Sequence, residues 1–358
     1  MVEDGMVFYY DTGNGKSYKG EPTTNLYGNW NAYTGGSYEV LDNNTNYIKL
    51  LASAGAPWAG QFTAAVSAGT YTVSFQHRTD DGGSNNFNID NDTQDDNLWN
   101  ANITTTTEWQ TYTSTKTHTG TGNHLLYFRR NGGTGNIYIR NLQLELKSHA
   151  TPFTKGTRSA TEGLKDLTGN STLDLTNVSF DSNAQITFDG SSDRIDMNAQ
   201  NLVGAAAGTV TAWLKLSEAN VNHAGIFCCQ VGPAWADMRV VLNVSSPNRI
   251  RLAISDGTTS TQDGCRTNSA LSYDTWYHIV ATYDGTSAKI YINGVLDETH
   301  NTTVTPGTFT PGATMVGSQN YSNRYFNGNI AAVSTHNKAL SAEEVKNHFN
   351  GIRSRFGI

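Results

Sequence analysis

The sequence predicts an all-β protein built of β-sandwiches, with one short helix near its C-terminal end. Composition is the first observation behind this. Only 15% of the 358 residues are charged and 35 are glycine, while Asn and Thr are frequent and helix formers do not dominate. Such a mix favours short strands and tight turns over helical bundles or coiled coils. The second observation is alternation: short apolar–polar runs recur from Tyr38 onward at the spacing of a sandwich. The third is that helix-start chemistry is readable at a single place, Ser341.

Taken in order, Tyr71–Gln76 and Leu125–Arg129 read as strands, and Asn136–Leu146 continues the alternation over one long strand. Lys147–Thr161, polar and containing Pro152 and Gly156, reads as a linker. A second strand-rich region runs from about Gly163 to Val333. Within it Trp276–Tyr283 is a strand that Asp284-Gly285 turns back, and Asn293-Gly294 is a two-residue hairpin turn, because both residues tolerate positive φ. Ser341 caps the helix, with Glu344 in capping-box position and Val345 and Phe349 on one face. The helix is expected to end near Asn350-Gly351.

With 24 basic and 31 acidic residues the net charge is −7, which lacks the footprint of a protein that grips nucleic acid. No apolar run approaches the roughly 18 residues of a membrane span, and the acidic Met1–Gly5 is followed by no hydrophobic segment of a signal peptide. A soluble protein with no membrane or nucleic-acid partner is expected. Cys228, Cys229 and Cys265 fit neither a disulfide scaffold nor a zinc site. They read as reduced core thiols, or as one disulfide from Cys228 or Cys229 to Cys265.

Several ordered motifs carry a family resemblance. They are Ile186–Asp196 with its Phe-Asp-Gly turn, Thr209–Lys215, Trp276–Gly285, Tyr291–Gly294, Phe326–Ile330 and Ala339–Val345. Together they resemble the laminin-G-like, concanavalin A-like jelly-roll family. Gly5–Asp11, Asn14–Tyr18, Lys165–Asn170 and Arg353–Ile358 are similar to the version found in tailed-bacteriophage virion proteins. There the first strand leads straight into the Asp-Leu-Ser-Gly-Asn turn; here the matching Asp166–Asn170 comes some 150 residues later. The resemblance therefore implies two β-sandwich (jelly-roll) domains, one inserted into the other: 1–23 plus 154–358, and 24–153. The insert resembles β-sandwich carbohydrate-binding modules through Asn25-Leu26, Trp30, Gly69–Phe75, Trp109–Tyr112 and Ile137–Glu145.

Both parent families include glycan-binding proteins, and concanavalin A-like folds include glycanases. The glycanase pattern of alternating Glu, Asp and Glu is not present, nor is a nucleophile elbow, a zinc helix or a phosphate loop. His278 reads as a structural histidine, and no catalytic residue, cofactor or metal ligand is assigned. Ala331 and Arg140 stand where the two families carry a calcium-binding Asp, and Asp80-Asp81 with Asp90–Asp96 reads as a solvated acidic loop. Sugar rings stack on aromatic side chains flanked by amides and cations. Trp30, Trp109, Trp213 and Trp276 fall at family core positions and are assigned to packing. Trp58, Trp99 and Trp235 in turn-prone stretches, with Tyr321, Arg324 and Tyr325, are the carbohydrate-binding candidates.

The resemblance implies a non-enzymatic structural protein on a tailed-phage virion surface, as capsid decoration or head fibre with weak glycan adhesion. The alternative is a tail-associated receptor-binding protein that recognises host surface polysaccharide; a glycan-active enzyme is third. Expected partners are other virion proteins of capsid or tail, and host or environmental glycans. A homo-oligomer is among the states the sequence allows.

Overall fold

The computed structural model describes residues 3–28, 38–52, 58–91, 101–198, 202–203, 206–217, 223–231, 236–243, 248–256, 261, 265–304, 314–319 and 324–358. The chain divides into two compact units. One comprises Met1–Glu21, Ala160–Asp181 and Gln185–Ile358; the other comprises Pro22–Ser159 and Ser182–Ala184. Each is a two-sheet β-sandwich, and the second interrupts the first. The expected all-β class, with one sandwich inserted into another and a short C-terminal helix, is what the chain adopts.

The discontinuous unit pairs an eight-stranded sheet with a six-stranded one. The larger runs Ser179–Phe180, Ile186–Asp189, Asn327–His336, Gly208–Leu216, Trp276–Tyr283, Ser287–Ile292, Val295–Asn301, with Met6–Asp11 also antiparallel to Asn327–His336. Strand alternation then decides the faces. Val210, Ala212, Leu214 and Leu216 turn inward to meet Phe227, Val240, Ile250 and Leu252 of the smaller sheet, in the main core. Trp213, between them, belongs to a separate cluster on the outer face. The first strand is tied to the return of the chain by Asp166, whose carboxylate accepts the Tyr9 N–H at 3.0 Å and those of Thr168 and Asn170 at 2.9 Å each. The Asn293-Gly294 turn has φ of 51° and 79°, the left-handed pair that matches the twist of a two-residue hairpin.

The helix spans Ala342–Ile352 with the Ser341–Glu344 capping box formed, and it covers the outer face of the larger sheet. Val345 packs with Val280, Tyr291 and Leu340; Phe349, Ile352 and Phe356 pack around Trp213 and Tyr9. It ends at Ile352, one residue past Gly351 and so near the expected stop, but the chain then continues into a 3₁₀ turn over Arg353–Phe356 that was not expected. The cause is tertiary: Ile352 and Phe356 continue the apolar stripe. The left-handed residue that stops the chain is Gly357, at φ 72°.

The continuous unit stacks a five-stranded sheet on a four-stranded one. The first runs Tyr38–Asp42, Tyr47–Leu50, Ile137–Glu145, Gly69–Thr79, Gln110–His118; the second runs Trp58–Val66, Gly122–Gly132, Asn85–Asn91, Ala101–Thr105. Val73, Phe75, Ile137 and Ile139 of one face Phe87, Ile89, Leu126 and Phe128 of the other. Lys147–Thr161 is not a free linker. Thr157–Arg158 pairs with Thr23–Thr24, and the buried Glu145 carboxylate accepts from Thr23 Oγ1 at 2.8 Å and the Thr151 N–H at 3.0 Å. Arg158, itself buried, donates to Thr151 Oγ1 at 3.0 Å. Buried polar groups need such partners, so the segment is pinned.

Cys228, Cys229 and Cys265 are buried, and burial pushes the Cys265 thiol up to about 12. Among the described residues no helix is long and apolar enough to cross a membrane.

Candidate functional site

The four-stranded sheet of the continuous unit turns one face inward and one outward. On the strand Asn85–Asn91, Phe87 and Ile89 enter the core, so Asn86 and Asn88 share the outer face. Antiparallel partners lie on the same face, so the pairing register defines a row across all four strands. Trp58 pairs with Arg129, Arg129 with Asn88, and Asn88 with Asn102. By register the row runs Trp58, Arg129, Asn88, Asn102. Tyr127, 7% exposed, follows two residues from Arg129 on the same strand.

The amide oxygens of Asn86 and Asn88 are both shielded from solvent, and neither has a hydrogen-bond partner among the described residues. A buried acceptor without a donor costs about 1–3 kcal/mol. Two of them, two residues apart on one face beside a guanidinium, are acceptors with no donor among the described residues. Hydroxyl groups supply such donors, and the guanidinium supplies donors in return.

Of the carbohydrate-binding candidates read from sequence, Trp58 takes the first place of this row, at the start of its strand. Trp99, Trp235 and Tyr321 lie outside the described residues, as does Trp30. Arg324 and Tyr325 belong to the other unit and are engaged internally. Arg324 donates to Gln319 Oε1 at 3.0 Å and its carbonyl accepts the Gly225 N–H at 3.1 Å; Arg194, paired with Asp196 at 2.9 Å, also engages the Tyr325 hydroxyl. Asn86, Asn88 and Arg129 were missed by sequence reasoning. The signal lay in Asn86-Phe87-Asn88-Ile89, where alternation alone puts two amides opposite two core residues.

Two packing assignments change. Trp109 is not a core residue: it is half-buried on the outer face of the five-stranded sheet, with the Arg140 guanidinium 3.8 Å and the Arg78 guanidinium 5.3 Å from its ring centre. Tyr47 meets it edge-on at 6.0 Å, and Arg140 Nε donates to Gln76 Oε1 at 2.9 Å. Its π face is already covered by a cation, and the face is a self-laced surface. Trp276 is likewise half-buried and lines an open cleft. Trp213 is fully buried, in keeping with packing, although on the outer face beneath the C-terminal segment.

His278 is structural. Its ring lies buried between sheet and helix, with Nε2 3.1 Å from His348 Nδ1. His348 and His336 both reach Ser334 Oγ at 3.4 Å. Burial holds all of them below the ordinary histidine range, His348 at about 4. Of the acidic loop, Asp80 accepts the Asn136 N–H at 2.7 Å and Asp81 accepts Thr134 Oγ1 at 2.5 Å, so these carboxylates close their own loop. Asp92, Asp95 and Asp96 lie outside the described residues. Ala331 and Arg140, at the two calcium positions, offer no side-chain oxygen, and Arg140 is spent on Trp109.

Residues 189–346 match the laminin-G family model described as "Concanavalin A-like lectin/glucanases superfamily". This part of the chain is similar to that superfamily and has the two-sheet jelly-roll sandwich. No curated protein matches the chain in sequence. Among solved structures, the chain is similar to domain 4 of an extracellular arabinanase from Geobacillus stearothermophilus, solved with arabinotriose. That likeness has 20% identity and a TM-score of 0.41, over 53% of this chain and 92% of that one. It is similar to the binding domain of Paraclostridial Mosquitocidal Protein 1 at 14% identity and TM-score 0.41, over 52% of this chain and 49% of that one. The botulinum neurotoxin serotype G binding domain gives 19% identity and TM-score 0.43, over 54% and 49%. The chain thus spans about half the length of these toxin domains. Likenesses of this size carry no argument about function.

Proposed function

We propose that the protein is a non-enzymatic glycan-adhesion protein, with the outer face of the four-stranded sheet in the inserted unit as its saccharide site. The observation that carries this is the pair of buried, unpartnered amide oxygens of Asn86 and Asn88 beside Arg129. The chemistry matches a sugar: hydroxyls fill the two acceptors, Arg129 returns hydrogen bonds, and Trp58 at the end of the row supplies an aromatic residue. Among the described residues the row itself, Trp58, Arg129, Asn88 and Asn102, has Arg129 as its one charged residue, with Asp90 at the next register position opposite Tyr127, so neutral saccharide units suit it.

We further place the protein on the surface of a tailed-phage particle, as capsid decoration or head fibre. Supporting this, the four phage-like segments lie within one unit. Asp166 of the Lys165–Asn170 turn binds the first strand, and Arg355 of the last segment donates to Asp11 at 2.5 Å. Mass spectrometry and immuno-electron microscopy of purified particles test the location: labelled heads support it, and particles without the chain overturn it.

For adhesion, the test is retention on immobilised surface polysaccharides of bacterial hosts. Replacing both amides, Asn86→Ala with Asn88→Ala, removes two hydrogen bonds of about 1 kcal/mol each, so binding is expected to weaken by roughly tenfold or more. The unfolding temperature of the double variant should hold or rise, since two unsatisfied oxygens are gone. Unchanged binding would remove the row from the site.

A further inference from the structure

We propose a second saccharide site, on the jelly-roll unit, that takes a carboxylate-bearing sugar. Its basis is a cleft of about 350 Å³ on the outer face of the eight-stranded sheet, within the size range of small-ligand pockets. The floor is another cross-strand row. Trp276 pairs with Lys215, and Lys215 with Asn329, so indole, ammonium and amide lie side by side on three adjacent strands. The inserted unit has the same order of groups in Trp58, Arg129 and Asn88. The cleft stands on its own geometry and does not depend on that first site.

The walls are built, not incidental. Arg355 is held over the turn at Gly13 by Asp11, its guanidinium lying where a Cβ on that residue would stand. Phe356 follows, its ring 4.8 Å from that of Trp276 and stacked 4.2 Å from Trp213. On the opposite side Asp181 Oδ1 accepts the Gln185 N–H at 2.9 Å. Asn329 Nδ2 donates to the Ile186 carbonyl at 3.3 Å, which fixes the amide in place.

Charge names the ligand class. Lys215 is half-buried and carries no ion pair among the described residues; its Nζ lies 5.7 Å from the Trp276 ring centre. Arg355 is paired with Asp11, and Asp181, which accepts the Gln185 N–H on the opposite wall, keeps its charge there, so Lys215 is the cation on the floor that makes no ion pair among the described residues. Lys215 Nζ lies over the Trp276 ring, so a sugar carboxylate that enters the cleft meets the ammonium beside the indole. A carboxylate there makes the charge-assisted bond that a neutral hydroxymethyl group cannot.

The experiment is calorimetric titration of the full chain with oligogalacturonate trimers and hyaluronan tetrasaccharides, each against its methyl-esterified, uncharged form. One of the acidic probes is expected to bind at least tenfold more tightly than its ester. Lys215→Met should abolish that preference and leave the ester's affinity unchanged. Trp276→Ala should weaken both forms, with Trp276→Phe as the variant that keeps the apolar fill if the alanine form unfolds. The Asn86→Ala, Asn88→Ala double variant should bind the acid normally, which keeps this site distinguishable from the first. Absence of binding to both acids at millimolar concentration overturns the proposal. So does equal affinity for acid and ester, or loss of acid binding in the double Asn variant alone.

Discussion

Trp213→Ala is expected to lower the stability of the jelly-roll unit by about 3–5 kcal/mol, the usual cost of emptying a buried aromatic site. Trp213 is completely buried, yet its neighbours come from the far end of the chain. Phe356 stacks on it at 4.2 Å and Phe349 at 5.8 Å, while His278 lies 4.9 Å away. It therefore fastens the helix and the 3₁₀ turn to the sheet. Without it, the apolar stripe of Phe349, Ile352 and Phe356 loses its central contact. Denaturant unfolding checks this, read on a probe specific to the jelly roll because two units need not unfold in one step. Trp276→Ala is the control, since a half-buried ring loses less. A loss under about 1.5 kcal/mol for Trp213→Ala would contradict the packing described.

The second large effect is acid sensitivity at the same interface. His278, His348 and His336 lie between sheet and helix, linked through Ser334, which bonds Thr211 Oγ1 at 2.7 Å. The charged groups nearby are few. Lys338 bridges Asp4 and Glu344 at 2.5 and 2.7 Å, and the Asp4 carbonyl lies 3.4 Å from His336 Nδ1. Desolvation favours the neutral imidazole, and each ring opposes charge on its neighbour. Folded values below the ordinary 6.5 mean that the unfolded chain binds more protons at acid pH. The stability is whole above about pH 6.5 and is lost as pH falls towards about 4, where His348 titrates in the folded state. For His348 alone the loss is about 3 kcal/mol. His348→Gln keeps a polar partner for His278 but cannot charge, so its stability between pH 4 and 6.5 should fall less steeply. Parallel slopes for the two proteins would show that His348 is not the group responsible.

What was legible in the sequence was local. The capping box at Ser341 and Glu344, the Asn293-Gly294 turn and the alternation in Gly69–Thr79 each depend on neighbours in the chain, and each is present. The 3₁₀ turn after the helix was not legible because Ile352 and Phe356 gain their partners across space. Lys147–Thr161 read as a linker because its polar residues give no hint that Glu145 and Arg158 are buried around Thr151. The sites were the least legible part. Trp58 was reached from its turn-prone surroundings, but its row with Arg129 and Asn88 exists only through register. The same holds for Trp276, Lys215 and Asn329, residues separated by long stretches of chain and joined by pairing alone.

The most direct measurement of glycan adhesion is a comparison of the wild-type chain with the Asn86→Ala, Asn88→Ala double variant on an array of bacterial surface polysaccharides. Thermal unfolding of both proteins is recorded alongside. The expected result is saturable binding by the wild type to at least one polysaccharide, and roughly tenfold weaker binding by an equally stable double variant. Equal binding by the two proteins, or no binding by either, would contradict it.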